Sequence, residues 1–336
     1  MHAVIRYALW LRRQMESSPE ARNRLREGFG AMPEVREVLE RHLDPAVDPS
    51  PAIRAVYGRW FAWLLMLDGP WAKARVPEVF PREKALEPLR DAAWEALISF
   101  SPAYDHLLGI IGPEYERGVE LIDRFSQRDE HKVHPENRLA EHLMVFYLRG
   151  GLALDEKGLL ARFFREAPQT LRRHALGFIG RTLNAQQGKI PPDFELRLRH
   201  LWERRLQVAE QAADPAAHLQ ELAAFGWWFA SGKLEDAWSL RQLVKVLELG
   251  VKIEAATEVI TRLKDLAEKH PERTVQSLSL ILTSEQDSVS LVAWTEDARA
   301  IINKSMQSGD SGARTMAIEL LSFFDVQELE ELVRWD

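Results

Sequence analysis

The sequence predicts an all-α fold in which antiparallel helix pairs stack one on the next. Three observations predict it. Apolar residues recur with helical period from end to end, the breaks between the stripes are short, and one helix-sized unit returns along the chain.

The stripes run in order. Ile5, Leu9, Trp10 and Leu11 make the first, which starts almost at residue 1 without a visible cap, so the chain is expected to be part of something longer. Ile53, Val56, Tyr57, Trp60, Phe61 and Leu64 make the next, with Pro51 opening a helix after Ser50. Leu86, Leu89, Ala93, Trp94, Leu97 and Ile98 follow, then Leu139, His142, Leu143, Phe146 and Tyr147, then Leu171, Ala175, Phe178, Ile179 and Leu183. Further stripes cover about 192–211, 215–230, 234–249, 253–269, 272–283, 289–306, 312–324 and 326–334. TVQSLSLILT (274–283) has some β-character, but its apolar spacing after Pro271 favours a helix. The breakers are Asp68-Gly69-Pro70, Gly112-Pro113, Gly150-Gly151, Pro191-Pro192, Ser231-Gly232 and Gly309-Asp310. Connections this short join helices that pack antiparallel. Polar stretches at 127–137, 184–189 and 209–216 are the places for a change of curvature. They divide the chain into helical repeats at 1–126, 137–208 and 215–336, expected to form one continuous solenoid.

LRDAAWEALI (89–98), LRRHALGFIG (171–180), ARTMAIELLS (313–322) and, more loosely, IRAVYGRWFA (53–62) repeat one pattern: an apolar or small residue, Arg, then small and large apolars. Their arginines, Arg54, Arg90, Arg172 and Arg314, are separated by 36, 82 and 142 residues, which is near one, two, and three to four units of about 40. This pattern resembles HEAT repeats, and the period suits HEAT or armadillo helix pairs. Each pair has an apolar face that stacking buries, giving an α-solenoid. Arg90, Arg172, Arg173 and Arg314 are then candidates for lining its groove.

Composition narrows the chemistry. The 336 residues contain no cysteine, which excludes disulfides, thiolate catalysis and cysteine-held metals. Net charge is −7, which lowers the expectation of a nucleic-acid binder. The longest apolar run, near Phe61–Leu67, is far too short to span a membrane, and the first residues lack the layout of a signal peptide; a cytoplasmic protein is expected. Gly226 with Gly232-Lys233 has the wrong spacing for a phosphate loop, and Leu234 stands where Ser or Thr is needed. GDSG (309–312) resembles a protease nucleophile region, but no strands accompany it and a turn before a helix is expected. His131 and His134, beside Glu130 and Glu136, form the densest histidine cluster, and two histidines on a loop are too few for zinc. His142 and His174 fall on apolar faces, where a hydrogen-bonded core histidine is expected. The carboxylate pairs Glu235-Asp236 and Glu328–Glu331 read as solvent faces. No catalytic residue, metal or cofactor is expected.

Eleven tryptophans remain, and most occur singly in stripes and read as core. FGWWFASGKLEDAW (225–238) is different. Adjacent positions on a helix point about 100° apart, so Trp227 and Trp228 cannot share a face. One indole joins the face set by Leu222, Phe225 and Phe229; the other points sideways. Gly226 admits another backbone, and Ser231-Gly232 ends the helix. Trp227, Trp228, Phe229, Lys233 and Trp238 are therefore candidates both for packing and for holding a partner.

FGWWFASGKLEDAW, RLAEHLMVFYLRG (138–150) and LRDAAWEALI together resemble the helical C-terminal region of large bacterial multidomain proteins. Several of those are antiphage-defence proteins with a STAND-type NTPase or sirtuin-like effector domain upstream. The resemblance implies a scaffold or sensor region with no catalytic residues to carry over. The expected partner is a protein, or an upstream domain of the same assembly. Two alternatives stay open. One is a HEAT-like nucleic-acid binder or DNA glycosylase using a basic face such as RLRHLWERR (197–205). The other is a structural subunit of a homo-oligomer.

Overall fold

A computed structural model describes residues 1–122, 134–284 and 288–333; these are helical, with no strand among them. The chain divides into two compact units, Met1–Ala167 and Pro168–Asp336.

The first unit is built on α1 (His2–Ser17), α2 (Pro33–Leu43), α3 (Pro51–Leu67), the short α4 (Gly69–Ala74) and α5 (Val76–Val79), α6 (Glu87–Phe100), α7 (Asp105–Glu120), α8 (Pro135–Leu148) and α9 (Leu159–Glu166). Ser50 opens α3 by accepting from the Ile53 N–H, and Asp68 opens α4 by accepting from Trp71 N–H (2.9 Å), each satisfying a first-turn donor. α3 and α6 cross closely because Gly58 has no side chain; a Cβ there would overlap the Ala93 backbone. α6 packs on α8, and α7 on α8 and α9. Gly112-Pro113 does not separate two helices. α7 runs through it, with a kink at Ile111 (φ −123°, ψ 30°), since proline bends a helix whose surroundings hold both halves in place.

The second unit comprises α10 (Gln169–Ala185), α11 (Pro192–Gln211), α12 (Ala216–Ala223), α13 (Phe225–Ala230), α14 (Asp236–Glu248), α15 (Ala256–Leu266), α16 (Pro271–Ser284), α17 (Ser288–Gln307) and α18 (Ser311–Val333). The neighbour order is regular. α10 packs on α12 and α13, α11 on α12 and α14, α13 on α14 and α15, α14 on α16, α15 on α16 and α17, α16 on α17 and α18, and α17 on α18. TVQSLSLILT lies in α16, and the stripes at 312–324 and 326–333 form one helix, not two. GDSG is a helix start, where Asp310 accepts from the Ala313 N–H at 3.0 Å. The polar stretches at 184–189 and 209–216 are helix ends and connections inside this unit, whereas 127–137 falls mostly outside the described residues.

The stripe at 215–230 is two helices, broken at Ala224, and the cause is local. The Ala223 carbonyl accepts from the Glu254 N–H at 2.9 Å instead of continuing the helix. Gly226 leaves room for the Glu254 carbonyl, which a Cβ would strike.

Candidate interaction surface

The arginines that carry the repeated pattern tie helices together. Arg54, 1% exposed, donates to the carbonyls of Leu43 (2.9 Å) and Glu78, capping the ends of α2 and α5. Arg90 on α6 forms a fork with Glu114 on α7, at 2.8 and 2.6 Å. Arg172 on α10 reaches Glu221 on α12 at 3.1 Å and the Ala217 carbonyl at 2.6 Å. Arg173 pairs with Glu254, and Arg314 donates to the Ser308 carbonyl at 3.0 Å.

Glu221 is fully buried and binds three side chains: the guanidinium groups of Arg172 and, at 2.6 Å, Arg205 on α11, and the His218 imidazole at 2.7 Å. Burial alone would raise its pKa. The His218 hydrogen bond and the nearby Arg205 and Arg172 outweigh it and hold the carboxyl below its usual range. The basic stretch 197–205 is likewise drawn into the fold. Arg205 faces Glu221, while Arg199 lies 3.5 Å from Glu235 with its guanidinium 4.8 Å over the Trp238 ring. Beside it a cleft of about 390 Å³ is lined by His200, Glu203 and Gln207 of α11 and by Gln242 and Lys245 of α14.

The tryptophan corner splits as adjacent helical positions must. Trp228 is completely buried, and its Nε1 donates to the Leu176 carbonyl at 2.8 Å. It sits edge-on to Trp202 and Phe225, which stack on each other at 4.4 Å. Phe229 and Trp238 are buried too, the latter donating to Glu203 at 2.9 Å. Trp227 is half-buried and donates to Glu254 at 2.8 Å. The Lys233 ammonium donates to the Gly188 carbonyl at 2.6 Å. Ala255, next to Glu254, is held in the left-handed region (φ 56°), which strains a residue with a Cβ.

The buried histidine of the first unit is also structural. The Tyr115 hydroxyl donates to His142 Nδ1 (2.9 Å), and Nε2–H donates to the Ser101 carbonyl (2.9 Å), which can only accept. Burial pushes the His142 pKa down to about 4. A neutral imidazole with both nitrogens engaged is a core group. His174 is partly exposed. His134 bonds Glu136 at 2.9 Å, while His131 and Glu130 lie outside the described residues. Among the described residues, no group of three or more His, Asp or Glu could hold a metal. No helix among them is long and apolar enough to cross a membrane.

The surface aromatics lie elsewhere, and one of them, Trp10, was expected in a buried stripe. Trp10 is 53% exposed, Trp63 45% and Phe100 56%; Tyr7 and Met66 are exposed as well. They come from α1, α3 and α6. Tyr7 and Trp10 stack at 5.9 Å, Trp60 and Trp63 approach to 6.4 Å, and the Arg59 guanidinium sits 4.5 Å over the Phe100 ring. Arg12 of α1 ties the two helices by donating to the Met66 carbonyl at 2.9 Å. His2 accepts from Trp60 Nε1 at 2.7 Å; burial, then the charges of Arg59, the N-terminus and Arg6, lower its pKa. Tyr7 and Trp10 on α1, Trp63 on α3 and Phe100 on α6 are thus exposed, and α1 and α3 also carry exposed Arg6, Arg13 and Arg59. Patches of this kind mark interaction sites.

No protein-family model, curated protein or solved structure matches the chain.

Proposed function

We propose that this chain is a non-catalytic helical-repeat interaction module, a scaffold or sensor region that holds a protein partner or a neighbouring domain of a larger assembly. The carrying observation is the exposure of Tyr7, Trp10, Trp63, Met66 and Phe100 on three helices, of which α1 and α3 also carry exposed arginines. Two buried titratable groups are engaged in helix-to-helix contacts: His142 with Tyr115 and Ser101, and Glu221 with two arginines and a histidine.

The α-solenoid of antiparallel pairs is part of the same reading. In the second unit α13 meets α14 and α15, α15 meets α16 and α17, and α16 meets α17 and α18, as stacked layers would require, and arginines of the repeated pattern recur where neighbouring helices meet. A place in bacterial antiphage defence rests on the resemblance of FGWWFASGKLEDAW and its companion segments, and the protein is expected to work in the cytoplasm.

The test is site-specific photo-crosslinking from position 63 in cells, followed by binding of the identified protein to the purified chain. Binding that is lost in Trp10→Ala/Trp63→Ala, with folding intact, is the expected result. A catalytic activity abolished by Glu221→Gln, under conditions where the variant remains folded, would contradict the reading.

A further inference from the structure

In the second unit α11 and α14 turn polar side chains toward each other. Glu203, Leu206 and Glu210 recur on α11 at intervals of three and four residues, and Gln242 and Lys245 lie one turn apart on α14. With Arg204 they line the cleft of about 390 Å³ between the two helices. Leu206 and Gln242 are buried and form its floor; the charged groups form its rim. The volume is at the lower end of small-molecule sites.

Gln242 on that floor is 7% exposed, yet among the described residues its amide has no hydrogen-bond partner. Buried amides are nearly always bonded, because an unmatched one forfeits the water it gave up. This amide borders the cleft, so its partner has to come from there. It offers a donor and an acceptor side by side, the complement of a peptide group. Charge narrows the class further. Glu203 is engaged by Trp238 Nε1 at 2.9 Å, and Arg204 by Gln207 at 3.1 Å. Glu210 and Lys245 face the cleft from different helices, and among the described residues neither has a hydrogen-bond or ion-pair partner. An anion such as phosphate would meet the carboxylates of Glu203 and Glu210, and a polyamine would meet Arg204 and Lys245. A ligand with one charge of each sign suits this rim.

We propose that the α11–α14 cleft binds a short peptide of dipeptide size with both termini free. Its ammonium meets Glu210, its carboxylate meets Lys245, and its peptide group bonds the Gln242 amide. The site stands whether or not α1 and α3 hold a protein partner.

Calorimetric titration of the whole chain with alanyl-alanine tests this. One site is expected, with a Kd of about 1 mM or tighter. N-acetyl-alanyl-alanine amide, which lacks both charges, should bind at least about tenfold more weakly. Gln242→Met keeps the bulk of the side chain and removes the amide. Dipeptide binding then falls by at least about tenfold, while the urea midpoint holds or rises, since no hydrogen bond within the protein is lost. Glu210→Gln weakens alanyl-alanine by about tenfold but leaves N-acetyl-alanyl-alanine, which has no ammonium, unaffected. Four results would overturn the proposal: no binding up to ~10 mM dipeptide, undiminished binding by Gln242→Met, spermidine or inorganic phosphate bound as tightly as the dipeptide, or equal binding of the blocked peptide, which would point to an interior segment of a longer chain.

Discussion

Two aromatic-rich regions of this molecule use the same residues for opposite ends. Around Trp202, Phe225, Trp228 and Trp238 the rings are buried, stacked or edge-on, and the Trp228 and Trp238 N–H groups meet acceptors. Around Tyr7, Trp10, Trp63 and Phe100 the rings face water among arginines. The difference lies in what the neighbouring helix offers. At the first site Gly180 lets α10 come against Trp227 and Trp228, and Gly226 lets the Glu254 loop close over them. No comparable closure covers Trp10 and Trp63, so their apolar area remains available.

The contrast breaks hardest at Glu221. Replacing it with Gln leaves two buried arginines without a counter-charge and is expected to destabilise by about 3–5 kcal/mol in urea unfolding. Trp228→Ala removes the centre of the buried ring cluster, also at about 3–5 kcal/mol, measured the same way. His142 adds an acid sensitivity. The unfolded chain binds a proton near pH 6.5, whereas native His142 stays neutral down to about pH 4. Its contribution is therefore complete above pH 6.5 and is lost as pH falls from 6.5 towards 4, by a total of about 3 kcal/mol, readable as the pH dependence of the urea midpoint. Ala255→Gly relieves the left-handed backbone and should raise stability by about 1 kcal/mol. At the exposed face, Trp63→Ala should change stability by no more than about 0.5 kcal/mol while impairing partner binding. A large destabilisation there would erase the distinction between the two regions.

Much of the helical layout was legible in the sequence, because an apolar period and a breaker are local signals. The stripe at 192–211 is α11 to the residue, and the opposed directions of Trp227 and Trp228 follow from helix geometry alone. Other features depend on distant partners. Gly112-Pro113 reads as a break but bends a continuous α7. The arginine pattern suggested a groove lining; the structure pairs Arg90 with Glu114, 24 residues on, and Arg172 with Glu221, pairings that no local pattern encodes. α3 is the clearest case. PAIRAVYGRWFAWLLML is apolar nearly all round, so its sequence could not separate buried Phe61 and Leu64 from exposed Trp63 and Met66. The usable signal was charge: α1 and α3 are rich in arginine within an acidic chain.

The decisive comparison is sedimentation equilibrium of Trp227→Ala beside Trp10→Ala/Trp63→Ala, each mixed with the protein captured by crosslinking from position 63. Trp227 is half-buried and bonded to Glu254, so its loss should leave association unchanged and cost about 1 kcal/mol of stability. The double variant should keep its stability and lose association by at least about tenfold. The reverse outcome, association lost with Trp227 and retained without Trp10 and Trp63, would place the binding surface at the tryptophan corner and contradict the division drawn between the two regions.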